Sequence, residues 1–248
     1  MKAKSISIAC VETDATSNDL ARHAIERALM CVPAREVLFF GTEPLNIGER
    51  FIRIHNFTSI DSYSEFVFKC LWPFIETDQL MMVQWDGYPT RRELWDEDFL
   101  AFDYIGAPWI WGEANRRVGN GGFSIRSRAL MLECSHPQLR RHPEVEGGGA
   151  EDVVICKVYG EYLESRGLRF APLDVANRFA VEYATPAFPS FGFHGPWQLP
   201  LHEDEATLLQ LAQRLKPKLT RSPVFPKFIE ACQQVGYHSL LEVISTPV

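Results

Sequence analysis

The first forty residues constrain the fold most, because they alternate strand, helix and strand patterns. An apolar run from Ser5 to Val11 predicts a buried strand, and apolar residues at helical spacing predict a helix over about 19–31. Pro33 ends this helix, and the run Val37–Phe40 predicts a second buried strand. Such a β-α-β unit joins two parallel strands by a right-handed crossover, so we expect an α/β sheet.

Strand and helix patterns continue to about residue 200 and then change. A third strand is predicted over 52–57, a helix over 62–75, and a buried strand over 79–85 that ends at Asp86. Open α/β sheets bind ligands at the carboxyl ends of their strands, which makes this carboxylate a candidate ligand group. Beyond residue 200 only helical patterns remain. We therefore expect an α/β domain over 1–200 and a helical C-terminal extension over 201–248.

The charge balance and the cysteines limit the class of protein. The chain has 32 acidic and 25 basic residues, a balance that argues against a nucleic-acid binder. No basic segment with an apolar core opens the chain and no long apolar run follows, so we expect a soluble cytoplasmic protein without signal peptide or membrane span. Six cysteines lie in apolar contexts without a Cys-x-x-Cys pair, which predicts buried free thiols rather than a zinc site.

A glycine-rich segment lies near the middle of the chain, between Arg117 and Arg128. Three of its glycines fall within four residues, over 119–122. Glycines allow positive φ angles and a close approach of the backbone to a ligand. The segment matches neither the dinucleotide-binding fingerprint nor the phosphate loop. From these residues alone, a cradle for an anionic or polyhydroxyl ligand and a turn without a ligand remain equally open.

Acidic residues and one histidine are further candidates. Asp86, followed by Gly87, can ligate a divalent cation, although Asp-Gly is also a common turn. Glu151 and Asp152 follow a triple glycine and open a helix, where one of them can act as a general base or both can complement the helix dipole. His194 lies in an aromatic, glycine-flanked loop that can carry an imidazole to a metal or phosphate.

These pieces together resemble a glycosyltransferase of the GT-A type. More closely, the chain resembles a bacterial and viral domain family of poorly assigned function that is described as glycosyltransferase-like. The residues that carry the resemblance are Gln84–Gly87, Asp103–Trp109, Val118–Arg126, Glu151-Asp152 and Phe191–His194. The resemblance implies one GT-A-like (Rossmann-like) catalytic domain over 1–200, with a central, mostly parallel mixed sheet flanked by helices and the helical extension after it.

The resemblance also implies a cofactor and roles for individual residues. In GT-A enzymes an Asp-x-Asp motif holds a divalent metal, manganese or magnesium, and the diphosphate of the donor. Gln84 replaces the first acid here, which leaves Asp86 and His194 as metal ligands. Asp152 is the first choice for the catalytic base and Glu151 the second. Expected donor-binding residues are Val11, Glu12, Thr13 and Thr42 for the base and ribose, Asp86 and Gly87 for the diphosphate, and Gly119, Asn120, Gly121, Gly122, Phe123 and Ser124 for the sugar.

The function implied is transfer of a sugar from a nucleotide-sugar donor to a hydroxyl of a glycan or glycolipid acceptor, with inversion, in polysaccharide biosynthesis. Arg126 and Arg128 are candidate phosphate partners. Two alternatives remain: a metal-dependent nucleotidyltransferase, and a carbohydrate- or nucleotide-binding protein with a decayed site, for which Gln84 is the best argument. The C-terminal helices could bind an acceptor, a membrane surface or a partner subunit, or cover an edge of the core.

Overall fold

Nine strands form two sheets in the computed structural model, which describes residues 4–111, 118–145, 149–183 and 188–246. The strands are β1 (Ile6–Glu12), β2 (Val37–Gly41), β3 (Arg50–Arg53), β4 (Gln79–Val83), β5 (Gly87–Pro89), β6 (Tyr104–Gly106), β7 (Ser124–Ser127), β8 (Ala180–Val181) and β9 (Gly192–His194). The central sheet has the order β3-β2-β1-β4-β7-β6, and a smaller sheet has the order β5-β9-β8.

The central sheet is parallel on one side and antiparallel on the other. β1 pairs in parallel with both β2 and β4, and β3 continues this half. β7 runs antiparallel to β4 and to β6. The parallel β1–β2 pair confirms the predicted β-α-β start, and the mixed, mostly parallel α/β architecture is as expected.

Ten α-helices surround the sheets. They are α1 (Asn18–Cys31), α2 (Ile60–Lys69), α3 (Arg128–Cys134), α4 (Glu151–Val153), α5 (Gly160–Ser165), α6 (Leu173–Phe179), α7 (Leu199–His202), α8 (Glu205–Thr220), α9 (Phe225–Val235) and α10 (His238–Ser245) in the described part of the chain. Successive residues of a strand point to opposite faces, so the central strands contribute side chains to two hydrophobic cores, one on each face of the sheet. One core contains Ile8 of β1 together with α1, and the other contains Ala9 together with Val67 of α2.

The last three helices pack onto the same core as α1. Leu215 of α8, Phe228 of α9 and Leu240 of α10 are buried in the cluster that includes Ile8 and Ala24. The expected boundary near residue 200 falls within α7, and the core is continuous across it. Within the described residues, no helix is long and apolar enough to cross a membrane.

Several predicted elements differ from the observed ones. The helix predicted over 62–75 ends at Lys69, because Pro73 cannot continue it and a 3₁₀ turn follows. The strand predicted over 52–57 lies at 50–53. The helix that Glu151 and Asp152 were expected to open is short, because a π turn follows it at Val154–Val158. Phe170 forms an isolated bridge with Tyr104.

The cysteines and the glycine-rich segments differ in part from the expectation. All six cysteines are free, but Cys70 is exposed rather than buried. Arg117, which begins the glycine-rich segment, and Gly147 and Gly148 of the triple glycine lie outside the described residues.

Candidate functional site

The carboxyl end of β4 turns directly into β5 and presents Asp86 at the turn. The backbone N–H of Gln84 donates to the carbonyl of Gly87 (2.9 Å), and the N–H of Gly87 donates back to the carbonyl of Gln84 (3.0 Å). This two-residue hairpin leaves Trp85 and Asp86 at its tip. Asp86 therefore stands at the edge of the central sheet where ligands of α/β proteins bind.

The small sheet brings His194 to this hairpin. β9 pairs antiparallel with β5, so that His194 lies opposite Gly87. The N–H of Gly195 donates to the carbonyl of Asp86 (2.7 Å). As a result, His194 Nε2 lies 3.9 Å from Asp86 Oδ1, although the two residues are far apart in sequence.

The pKa values of Asp86 and His194 depend on burial and on the carboxylate of Glu182. Burial raises the pKa of Asp86 above its usual range, against the lowering effect of His194. Burial alone would lower the pKa of His194, but Asp86 and Glu182 outweigh it and raise the pKa to about 9. Glu182 Oε1 lies 3.1 Å from His194 Nδ1, and Glu182 is itself buried. The imidazole is thus held between two carboxylates.

Asn120 links this pair to the glycine-rich loop and to Asp152. Its backbone is left-handed, with φ 66°, and its Oδ1 accepts a hydrogen bond from the N–H of Gly122 (3.1 Å). Its Nδ2 lies 2.8 Å from His194 Nδ1, and its backbone N–H donates to Asp152 Oδ2 (2.9 Å). One residue therefore fixes the spacing between the candidate metal ligand and the candidate base.

Glu151 and Arg126 form an ion pair beneath the loop. Arg126 Nη2 lies 2.8 Å from Glu151 Oε1, and both side chains are almost fully buried. Arg126 also donates to the carbonyl of Gly121 (3.2 Å) and to Ser124 Oγ (3.1 Å). This geometry assigns Glu151 a structural role and leaves Arg126 no access to a phosphate. Arg128 likewise faces away, because its Nε donates to the carbonyl of Ile75 (2.7 Å).

Asp152 differs from Glu151 in its surroundings. Burial and the neighbouring charge of Glu151 raise the pKa of Asp152 to about 6. A carboxyl with a pKa close to neutrality is suited to accept a proton during a reaction. The π turn of Val154–Val158 begins two residues later, and such turns are frequent at functional sites.

Two cavities of about 280 Å³ each open beside these residues and share part of their walls. The first is lined by the end of β1 and by aromatic residues, namely Cys10, Val11, Glu12, Thr13, Ala21, Phe57, Ser59, Ile60, Tyr63, Gln84 and Trp85. The second is lined by Ile60, Tyr63, Gln84, Trp109, Trp111, Asn120, Gly121, Gly122, Ala150, Glu151, Asp152, Glu182, Tyr183 and His194. Because Ile60, Tyr63 and Gln84 belong to both, the two cavities form one cleft.

The cleft contains many, but not all, of the predicted site residues. Val11, Glu12 and Thr13 line the first cavity, and Asn120, Gly121, Gly122, Glu151, Asp152 and His194 line the second. Thr42 contacts the site only through its hydrogen bond to the carbonyl of Thr13 (3.3 Å). Five further residues do not line the cleft: Asp86, which lies next to His194, Gly87 in the strand opposite His194, Gly119 beneath Trp109, and the fully buried Phe123 and Ser124.

A divalent cation fits between Asp86 and His194 if it takes the place of the proton on His194 Nε2. Asp86 Oδ1 is buried and has no hydrogen-bond partner among the described residues. Two ligands at about 2.1 Å from one ion can lie up to about 4.2 Å apart, and the 3.9 Å separation is within this limit. The described residues hold no group of three or more His, Cys, Asp or Glu side chains suited to a metal. Such an ion would therefore draw its other ligands from elsewhere.

Some residues of the cleft could not be identified from the sequence. Glu182 follows a short strand and belongs to no motif. Tyr63 lies in a segment whose apolar spacing predicts a helix, which gives it no functional signature. Trp111 stacks on Trp109 with the ring centroids 4.2 Å apart, and it is 40% exposed. In the sequence, the aromatic residues that precede the glycine-rich segment are the feature that indicates this side of the cleft.

Comparison with known proteins gives one family and one fold. Residues 46–194, more than half of the chain, match the model of a family described as a protein of unknown function (DUF5672). The chain is similar to the mannosyltransferase PcManGT from Pyrobaculum calidifontis in complex with GDP-Man and Mn²⁺, with a TM-score of 0.50, 10% identity, and coverage of 99% of this chain and 74% of that one. A galactosyltransferase, LgtC, in complex with donor and acceptor sugar analogues has a TM-score of 0.44 at 14% identity, with coverage of 98% of this chain and 97% of that one.

No curated protein matches the chain. At 10% identity the likeness to PcManGT shows the fold alone, which is the GT-A fold expected from the sequence. The chain belongs to the family of proteins of unknown function named DUF5672 and has the fold of GT-A glycosyltransferases.

Proposed function

We propose that this protein is a nucleotide-sugar-dependent glycosyltransferase. One observation supports the proposal: His194 and Asp152 line one cleft at the carboxyl edge of the central sheet, and Asp86 Oδ1 lies 3.9 Å from His194 Nε2. A decayed scaffold has no need to keep a buried carboxylate oxygen unpartnered beside an imidazole. A buried polar atom of this kind favours a site that binds a ligand.

The first cavity would hold the nucleotide of the donor. Glu12 and Thr13 provide polar contacts at the end of β1, and Phe57 and Trp85 provide aromatic ones. The diphosphate would then lie beside Asp86 and His194, which would hold a manganese or magnesium ion. When bound, that ion neutralises charge on the leaving diphosphate. The structure of PcManGT with GDP-Man and Mn²⁺ supports this class of donor and cofactor.

The second cavity would receive the acceptor. Exposed aromatic residues flank it, with Trp111 stacked on Trp109 on one side and Tyr183 packed against Trp197 on the other. Aromatic faces suit the apolar C–H face of a sugar ring and exclude water from a reacting centre. We therefore propose that a glycan or a glycolipid headgroup binds here.

The reaction would be a direct displacement. Asp152 accepts the proton of the acceptor hydroxyl, and the hydroxyl oxygen forms a bond to the anomeric carbon of the donor. The bond from that carbon to the diphosphate breaks, and the diphosphate leaves with the electron pair. Attack from the side opposite to the leaving group inverts the anomeric configuration.

Release of the nucleotide (UDP, GDP or CMP) from a panel of UDP-, GDP- and CMP-linked sugars, with simple glycosides as acceptors, tests this proposal. We expect Asp152→Asn to lower kcat by about 10²–10⁴ and to leave donor binding unchanged, because only the proton acceptor is lost. Asp174→Asn, at an exposed position of α6, is the matched control.

Full turnover by Asp152→Asn would remove this residue from the mechanism. Donor binding without any turnover by the wild type would instead favour the alternative of a carbohydrate- or nucleotide-binding protein.

A further inference from the structure

We infer that Gln84 supplies a third, uncharged ligand to the divalent cation, so that the protein without nucleotide holds the cation only weakly. This inference rests on the proposed function, because it takes the cation to lie between Asp86 and His194. In the sequence, Gln84 replaces the first acid of the metal-binding motif. The structure gives it a defined position in the same site.

The side-chain amide of Gln84 is oriented by Tyr63. Gln84 Nε2 donates to the hydroxyl oxygen of Tyr63 at 2.6 Å, which is a short hydrogen bond. With its nitrogen engaged on this side, the amide directs Oε1 the other way, towards Gly122 and His194. Gln84 lines both cavities, so this oxygen lies where they join.

Two potential ligand atoms flank the position that a side chain on residue 122 would occupy, and a third lies next to one of them. A Cβ atom on residue 122 would overlap His194 Nε2 and would lie 2.5 Å from Gln84 Oε1. His194 Nε2 is in turn 3.9 Å from the unpartnered Asp86 Oδ1. An amide oxygen and an imidazole nitrogen therefore border a space that exists because residue 122 is glycine, and the carboxylate oxygen of Asp86 lies beside the same imidazole nitrogen.

The charge of this ligand set determines how the cation binds. The set contains a single formal negative charge, that of Asp86, and the affinity of oxygen-ligand sites depends on how many ligands are charged. Two diphosphate oxygens would supply both the missing charge and the missing ligands. Cation and diphosphate therefore strengthen each other's binding, and the protein without nucleotide holds the cation weakly.

The experiment is a titration of the nucleotide-free protein with Mn²⁺, in which electron paramagnetic resonance measures the free ion. Gln84→Glu keeps the shape of the side chain and adds one charge, so we expect it to bind Mn²⁺ about tenfold or more tightly than the wild type. Gln210→Glu adds the same charge at an exposed position of α8 and should not change the affinity. Equal Mn²⁺ affinities for Gln84→Glu and Gln210→Glu would overturn the inference.

Tyr63→Phe is the second variant, for use if Gln84→Glu does not fold. It keeps the ring and removes the hydroxyl that orients the amide, so the Mn²⁺ affinity should fall severalfold; an unchanged affinity would contradict the role of Gln84. Neither titration contains nucleotide. A failure of the protein to bind any nucleotide sugar would therefore refute the proposed function without altering this result.

Discussion

At the scale of single residues, two adjacent acids have different environments and so different chemistry. Glu151 is neutralised by Arg126 at 2.8 Å and is packed under the loop. Asp152 is held by the N–H of Asn120 and faces the second cavity. Two consecutive residues of a helix point in different directions, which is why the sequence predicts different roles for the two acids. Both line the second cavity, but the carboxylate of Glu151 is paired with Arg126, and nothing in the local sequence reveals that pairing.

The raised pKa of Asp152 predicts how turnover depends on pH. A base with a pKa of about 6 is protonated and inactive below that value, so we expect kcat/KM to fall with decreasing pH below about 6. Stability changes in the opposite sense, because the folded state binds the proton more tightly than the unfolded state and this contribution is lost as the pH rises through about 6. A pH–rate profile at saturating donor, with donor binding measured in parallel, checks the prediction. A flat profile down to about pH 5 would contradict it.

At the scale of elements, the site depends on pairings between distant segments. The strand β4 was predicted because a buried apolar run is a local signal, although it ends at Val83 and not at residue 85. The pairing of β9 with β5 brings His194 to Asp86, and it joins segments about a hundred residues apart. The sequence could suggest a closing loop around His194, but the strand pairing that places this loop has no local signature.

The glycine-rich loop gives a prediction at this scale. Gly122→Ala would place a methyl group against His194 Nε2 and Gln84 Oε1, so we expect nucleotide binding in the presence of Mn²⁺ to weaken by at least about tenfold while the fold is kept. Gly149→Ala is the control, because its methyl group would lie 3.2 Å from the exposed Asp61 carboxylate, which can move aside. Calorimetry measures the binding, and circular dichroism checks the fold. Equal binding by the two variants would show that the loop does not form the site.

At the scale of the whole molecule, the C-terminal helices are continuous with the core beneath the first cavity. Lys218 Nζ of α8 donates a hydrogen bond to Glu12 Oε2 at 2.9 Å, and Arg214 Nε donates one to Asp19 Oδ2 at 3.0 Å. The amphipathic patterns of these helices made them predictable as helices. What they cover was not predictable, because an apolar stripe shows that a helix is buried but not against which partner.

The shared core predicts cooperative unfolding. Phe228→Ala removes a fully buried ring that packs in the same cluster as Ala24 of α1, so we expect the free energy of unfolding to fall by about 3–5 kcal/mol within a single transition. Leu201→Ala, at a position that is 37% exposed, should change it by less than about 1 kcal/mol. Denaturant unfolding followed by fluorescence and by circular dichroism measures both variants. A separate early transition for the C-terminal helices would show that they are an independent unit.

The binding of nucleoside diphosphates to the wild-type protein and to Asp86→Asn tests whether the cleft is a donor site. UDP, GDP, CDP and ADP are titrated by calorimetry, once with Mn²⁺ and once with a chelator. We predict that at least one of them binds with Mn²⁺, and that Asp86→Asn weakens this binding by about tenfold or more because the cation loses its carboxylate ligand. If none of the four binds in either condition, the cleft beside Asp86, His194 and Asp152 is not a donor site, and the proposed function is wrong.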